Sequence, residues 1–235
     1  MASRENALVV FARTLRQGRV KTRLEGVLTA AEACELHAAL VEDVVDRAWR
    51  AAAGLATVSL AWSGTPEPGT EGALSLPRGL GVDVQPEGDL GERMALTVQG
   101  KLKGGARAVV IMGSDAPTLP EDHIVSAFGS LREADVVIGP ARDGGYYLIG
   151  MTRLHLDLFR GIRWGSPEVL PVTLRKIRKA GLRCTKLGEW SDVDTPDEVR
   201  RLWKEILRLK DTMPGRVPRR TYAVLARLAP GRLDA

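Results

Sequence analysis

Short apolar runs rich in β-branched residues alternate along this 235-residue chain with longer stretches whose apolar positions recur at helical spacing, and few folds accommodate that alternation. The strand-like runs are ALVVFA (7–12), ATVSLAW (56–62), VDVQ (82–85), VVIMG (109–113), VVIG (136–139), YYLIGM (146–151) and RCTKL (183–187). Between them, Thr29 opens a helical segment to about residue 53, with Leu36, Leu40, Val44 and Val45 on one stripe. Further helices are expected from Asp89 to Lys103, after Pro120, from Ser166 to about Lys179, and from Thr195 to about Lys210. Thr195-Pro196-Asp197-Glu198 is a capping box, with a hydroxyl at the N-cap, proline at the first helical position and Glu at the third. The pattern predicts a three-layer α/β/α architecture: a mostly parallel mixed sheet with helices on both faces, of the Rossmann-like kind. In such sheets ligands bind beyond the carboxyl ends of the strands.

Two strand ends carry chemistry. VVIMGSDAPTLP (109–120) is a buried-type run that breaks in Gly-Ser-Asp, which delivers Ser114 and Asp115 to the mouth of the sheet. Pro117 lacks a backbone donor, so regular pairing stops there and leaves Asp115 in a loop. GPARDGGYYLIGM (139–151) breaks at Asp143-Gly144-Gly145, where paired glycines let the backbone approach a ligand. Asp and Gly also favour turns for local reasons, but two acidic strand ends in one α/β domain point to a metal-assisted site for phosphate chemistry.

Composition narrows the classes. Hydrophobic residues at 44% and charged residues at 27% are those of a globular protein large enough for one medium domain. Residues 1–210 are read as that domain and 211–235 as a basic tail, with one or two amphipathic turns over 221–228. No run approaches the roughly 20 apolar residues of a spanning helix, and the N-terminal apolar stretch is too short for a secretory signal. A cytoplasmic protein with free Cys34 and Cys184 is the expectation. The formal charge of +5 is concentrated on one helix and the tail, without interleaved aromatics, which argues against nucleic acid as a partner. The spacing leaves oligomeric state undefined.

After the first strand comes FARTLRQGRVKTRL (11–24), a loop holding Arg13, Arg16, Gly18, Arg19, Lys21 and Arg23. A cationic, glycine-containing loop there suits a nucleotide phosphate tail, with Lys as a point charge and Arg as a bidentate fork. A single glycine makes it neither a Walker A motif nor a dinucleotide fingerprint. Asp115 is the first candidate carboxylate for Mg²⁺ or Mn²⁺, hard ions that take oxygen ligands. EWSDVDTP (189–196) adds Asp192 and Asp194, two apart in extended chain and so on one side. Asp194 can equally serve as a local cap. Asp143 can bind a substrate hydroxyl or act as a base. His37, His123 and His155 show no ligand spacing and read as structural. Trp164 can wall an acceptor pocket; the other tryptophans read as core or rim.

Taken in order, FAR…GRVKTRL, QPEGDLGERM, GSDAPTLP, GPARDGGYYLIGM, F..I.W….V and DVDTPDEV resemble the radical-SAM/selenodomain-associated transferases, glycosyltransferase-like proteins with a nucleotide-diphospho-sugar transferase fold of the GT-A type. More distantly, KTRL and the strand-end Asp resemble 2-phospho-L-lactate and molybdenum-cofactor guanylyltransferases. The resemblance covers nearly the whole chain to about Leu209. It implies that Lys21 and Arg23 face the nucleotide phosphates, joined by Arg13, Gly18 and Ser114. It also implies that Asp115 occupies the metal position with Asp192 or Asp194, and that Asp143, Gly144, Gly145, Tyr146 and Trp164 line the sugar or acceptor side. The usual loop, FAK.P.PG.VKTRL, is altered here by Arg13, Leu15 and Gln17, and Ala116 stands where relatives often have Cys.

Two enzyme functions follow from this reading. One is transfer of a sugar from a nucleoside-diphosphate sugar to a small acceptor, with Lys21 and Asp143 as the catalytic side chains. The other is nucleotidyl transfer from a nucleoside triphosphate to a phosphorylated small molecule, releasing pyrophosphate. A non-enzymatic nucleotide sensor is disfavoured by the joint presence of Asp115, Asp143, Asp192 and Asp194.

Overall fold

The computed structural model describes residues 5–66 and 74–228; the Gly/Pro-rich loop read over 63–74 and the end of the basic tail lie largely outside them. A seven-stranded sheet runs in the order β3-β2-β1-β4-β6-β5-β7. Its strands are β1 (Asn6–Ala12), β2 (Ala56–Trp62), β3 (Gly81–Val84), β4 (Val109–Gly113), β5 (Val136–Pro140), β6 (Tyr146–Met151) and β7 (Cys184–Lys186). The first four are mutually parallel, β5 is parallel to β7, and β6 runs antiparallel to both its neighbours. Sheet and helices form the mixed α/β architecture the alternation predicts.

Helices α1 (Ala30–Ala51), α2 (Leu90–Lys103), α3 (Glu121–Ser130), α4 (Val169–Lys179), α5 (Pro196–Thr212) and α6 (Arg219–Leu228) surround it. Three begin as the sequence dictates: Thr29, Asp89 and Thr195 each cap with a reciprocal Glu three residues on. Alternation along β1 then sorts the core. Leu8, Val10 and Ala12 join α1 and α3 on one face, while Ala7, Val9 and Phe11 meet α2 and α4 on the other. Helices on opposite faces make the β1/β4 boundary the point where strand order reverses, and a crevice opens there.

A third apolar cluster lies outside α1, where Leu36 and Leu40 pack with Leu202 and Ile206 of α5 and Leu225 of α6. Where one or two turns were expected, residues 219–228 form a ten-residue helix. Asp43 of α1 caps it from a distance, accepting from Thr221 N at 2.7 Å and Arg220 N at 3.3 Å. Among the described residues no helix is long and apolar enough to cross a membrane, and Cys34 and Cys184 are each half-buried.

Candidate active site

The carboxyl ends of β1, β2 and β4 open into a cleft of about 750 Å³, lined among others by Arg13, Arg16, Arg19, Arg93, Ser114 and Asp115. Four guanidinium groups thus face a single carboxylate. Arg13, Arg16 and Arg19 come from the loop after β1 and are exposed. Arg93 comes from the first turn of α2, on the segment QPEGDLGERM.

Lys21 turns away from this cleft and into the protein. It has φ 51, the left-handed region, and is the one such non-glycine residue among those described. A lysine there is strained by roughly 1–2 kcal/mol, and the backbone twist aims its side chain inward. Its Nζ donates to Asp115 Oδ1 at 2.6 Å, Asp194 Oδ1 at 2.7 Å and Val193 O at 2.6 Å. Burial pulls the ammonium pKa down, but the two carboxylates outweigh it, so Lys21 is held charged above its usual range. Asp115 shows the complementary balance: burial pushes it up, and Lys21 foremost, with Arg13 beyond it, holds it below the usual carboxylate range.

The segment after β7 is drawn alongside Asp115 by a backbone bond from Val193 N to Asp115 O at 3.0 Å. That bond brings Asp192 and Asp194 to the same centre. Glu198 accepts from both Asp194 N and Thr195 N at 2.8 Å, so the helix cap also fixes the approach of Asp194. Asp192 is pushed up to about 8, by burial first and then by Asp115, Asp143 and Asp194 around it. It lines a second, smaller cavity of about 320 Å³ with Arg142, Trp190 and Glu205.

Asp143 is exposed, and its Oδ1 accepts from Gly145 N at 2.8 Å, the local turn bond its sequence allows. Gly144, at φ 90, leaves no room for a side chain against the backbone of Pro167. Tyr146 and Trp164 stand edge to face with ring centroids 6.3 Å apart, packed against the core cluster under α2 and α4. Arg23 is exposed and Gly18, at φ 68, sits at the loop tip; the cleft's lining includes neither.

Three contributors escaped the sequence reading. His37 is buried beneath the loop, its Nε2 donating to Arg13 O at 2.9 Å and its Nδ1 lying 3.9 Å from Asp115 Oδ1. Burial lowers its pKa against the pull of Asp115, so the ring is neutral and holds the loop by one hydrogen bond. Arg93 and Gln85 are the others, and the only hint of them was their presence in a motif without an assigned role.

Carboxylate oxygens from Asp115, Asp192 and Asp194 are the hard donors that Mg²⁺ and Mn²⁺ take. Among the described residues no three His, Cys, Asp or Glu side chains stand close enough together to enclose a cation. The set suits an ion shared with substrate phosphates, since Mg²⁺ is commonly held by one or two carboxylates and phosphate oxygens.

Residues 47–166 match a family described as "Uncharacterized protein conserved in bacteria (DUF2064)". No curated protein matches the chain. Among solved structures, a "putative nucleotide-diphospho-sugar transferase" from Desulfovibrio desulfuricans G20 is 33% identical, with 97% of this chain and 96% of that one covered and a TM-score of 0.85. CMP:2-keto-3-deoxy-manno-octonic acid synthetase complexed with CTP shares 16% identity over 87% of this chain and 99% of that one, with a TM-score of 0.55. Rv0371c of Mycobacterium tuberculosis H37Rv, in complex with manganese, shares 17% over 85% and 98%, with a TM-score of 0.51. The last two likenesses show the shared fold.

Proposed function

The chain belongs to the DUF2064 family, and we propose that it is a divalent-metal-dependent transferase that moves a sugar from a nucleoside-diphosphate sugar to a small acceptor. The observation that carries this is the charge of the cleft: four guanidinium groups at the carboxyl ends of the strands against one carboxylate already tied to Lys21. Such a surface takes a polyanion. The 33% identical relative, described as a "putative nucleotide-diphospho-sugar transferase", supports the same substrate class, as does the motif likeness to radical-SAM/selenodomain-associated transferases.

In this reading Arg13, Arg16 and Arg19 grip the diphosphate by bidentate hydrogen bonds, with Ser114 beside them. Asp115, with Asp192 or Asp194, would hold Mg²⁺ or Mn²⁺, which when bound stabilises charge on the leaving diphosphate. The manganese complex of the mycobacterial fold relative supports the choice of ion. Lys21 acts indirectly, fixing Asp115 and Asp194 in register. Asp143 lies on the acceptor side, close enough to Asp192 to raise its pKa. It accepts the proton of the acceptor hydroxyl as that oxygen bonds to the anomeric carbon and the sugar–phosphate bond breaks.

One feature favours a second reading. Arg13, Arg16 and Arg19 together with a divalent ion match the charge of a nucleoside triphosphate better than that of a diphosphate sugar, which suits nucleotidyl transfer. Thermal-shift titration with Mn²⁺ separates the two: stabilisation by nucleoside-diphosphate sugars supports sugar transfer, and stabilisation by triphosphates alone supports nucleotidyl transfer. No shift with either class contradicts both.

A further inference from the structure

We propose that Gln85 and Arg93 form the nucleobase subsite of the cleft and select guanine over adenine. The inference rests on the reading of the cleft as a nucleotide site and adds which nucleotide it takes.

Gln85 follows the last residue of β3 and is buried at 7% exposure. Its backbone N–H continues the ladder to Trp62 O at 2.8 Å. Its side-chain Nε2 donates to Ala61 O at 2.8 Å and Ala12 O at 3.3 Å, spanning the ends of β2 and β1. Both amide hydrogens are therefore engaged, and the orientation of the amide is settled: two carbonyls face nitrogen, and oxygen must point the other way. That oxygen accepts from Arg93 Nη1 at 2.8 Å.

The result is a guanidinium clamped at one corner by a neutral, immobile amide. Arg93 Nε makes a long bond to Asp89 O at 3.4 Å, and among the described residues Arg93 forms no ion pair. Burial, followed by the nearby Arg13, lowers its pKa, yet an arginine stays charged. This partly desolvated cation, bonded to Gln85 and the backbone of Asp89 and attracted by the Asp89 carboxylate, lines the cleft with N–H donors to spare.

Its place along the sheet says which part of a nucleotide it meets. In the order β3-β2-β1-β4, the end of β3 lies three strands from that of β4, about 14 Å at roughly 4.8 Å per strand. With a diphosphate between the β1 loop and Asp115, the nucleoside extends toward β2 and β3. Thr14, Ser63 and Gly64 line the way to Gln85 and Arg93.

A guanidinium offers donors only. Guanine shows it two adjacent acceptors, O6 and N7, whereas adenine replaces O6 with a donor amine. Cytosine has adjacent acceptors in O2 and N3, but its exocyclic amine stands directly beside them, and uracil offers carbonyl oxygens but no adjacent acceptor pair. The order expected is guanine first and adenine last.

Isothermal titration of the full chain in Mn²⁺ with GDP, UDP, CDP and ADP tests this. We expect GDP to bind about 10-fold or more tighter than ADP. R93K keeps the charge but loses the fork; it should bring the GDP/ADP ratio close to 1 while ADP affinity changes less than about threefold. Q85L, which frees the clamp, should lower the ratio partway. Equal binding of all four nucleotides, a preference for ADP, or an unchanged ratio in R93K overturns the base-reading role and leaves the nucleotide site standing. Failure of every nucleotide to bind overturns the site itself. Should either variant not fold, the wild-type ranking alone decides.

Discussion

The ammonium of Lys21 stands 2.6 Å from Asp115 Oδ1 and simultaneously 2.7 Å from Asp194 Oδ1, joining the end of β4 to the segment that precedes α5. Removing one partner from a buried pair costs about 3–5 kcal/mol. Here Asp115 and Asp194 keep 33% and 49% of their side-chain exposure, and water recovers part of the loss. Lys21→Met should therefore destabilise the protein by about 2 kcal/mol, a fall in Tm of roughly 4–8 °C. Differential scanning calorimetry reads this directly, and an unchanged Tm would show the bridge to be incidental.

The arginines of the β1 loop are expected to act separately from Lys21. Arg16→Ala and Arg19→Ala should each weaken nucleotide binding by about 10–150-fold, the worth of a hydrogen bond to a charged group. The loss should shrink as salt is added. Arg23→Ala, at an exposed side chain outside the cleft's lining, should change affinity less than about twofold. Titration calorimetry at two ionic strengths checks all three, and equal losses for Arg23 and Arg19 would contradict the assignment.

Helix α6 depends on a side chain far away in sequence. Asp43, 6% exposed, accepts from two N–H groups at its start. Loss of a helix cap costs about 1–2 kcal/mol, so Asp43→Ala should lower Tm by roughly 2–8 °C. Proteolysis should then cleave within 213–228 first. A variant as stable and as resistant as wild type would mean that the helix contributes nothing.

His123 provides a pH test at a residue outside the cleft's lining. Tyr147 donates its hydroxyl hydrogen to Gly188 O, so His123 Nδ1 must carry the hydrogen it shares with Tyr147 Oη at 2.7 Å. Burial lowers the His123 pKa, against the pull of Asp122. The unfolded chain then takes up the proton first as pH falls through about 6.5, the reference value, and stability drops. His123→Asn keeps a donor near Tyr147 without the titration. Its denaturant midpoint should fall less than that of wild type between pH 7.5 and 5.5. Parallel curves would rule out the histidine as the cause.

Much of the frame was legible because its signals are local. Strands β1 and β4 are covered on both faces, so they read as unbroken apolar runs, and the caps at Thr29, Asp89 and Thr195 are short-range patterns. The direction of β6 was not, since strand polarity is set by partners distant in sequence. Of the site, the sequence displayed Asp115, Asp192 and Asp194 as strand-end acids. It did not show that Lys21 would turn inward, which depends on a left-handed backbone at a residue other than glycine. Gln85 and Arg93 were equally opaque. An amide acts there only through the carbonyls of Ala12 and Ala61, and no spacing rule connects those positions.

The account stands on Asp115 as the metal-dependent contact for a nucleotide. Asp115→Asn keeps the shape of the side chain and removes its charge, so titration of nucleotide into this variant with and without Mn²⁺ is the most direct test. The prediction is that the gain in affinity produced by Mn²⁺ in the wild type disappears, while binding without metal, carried by the arginines, changes little. Nucleotide binding to Asp115→Asn that is still strengthened by Mn²⁺ to the wild-type extent would contradict it.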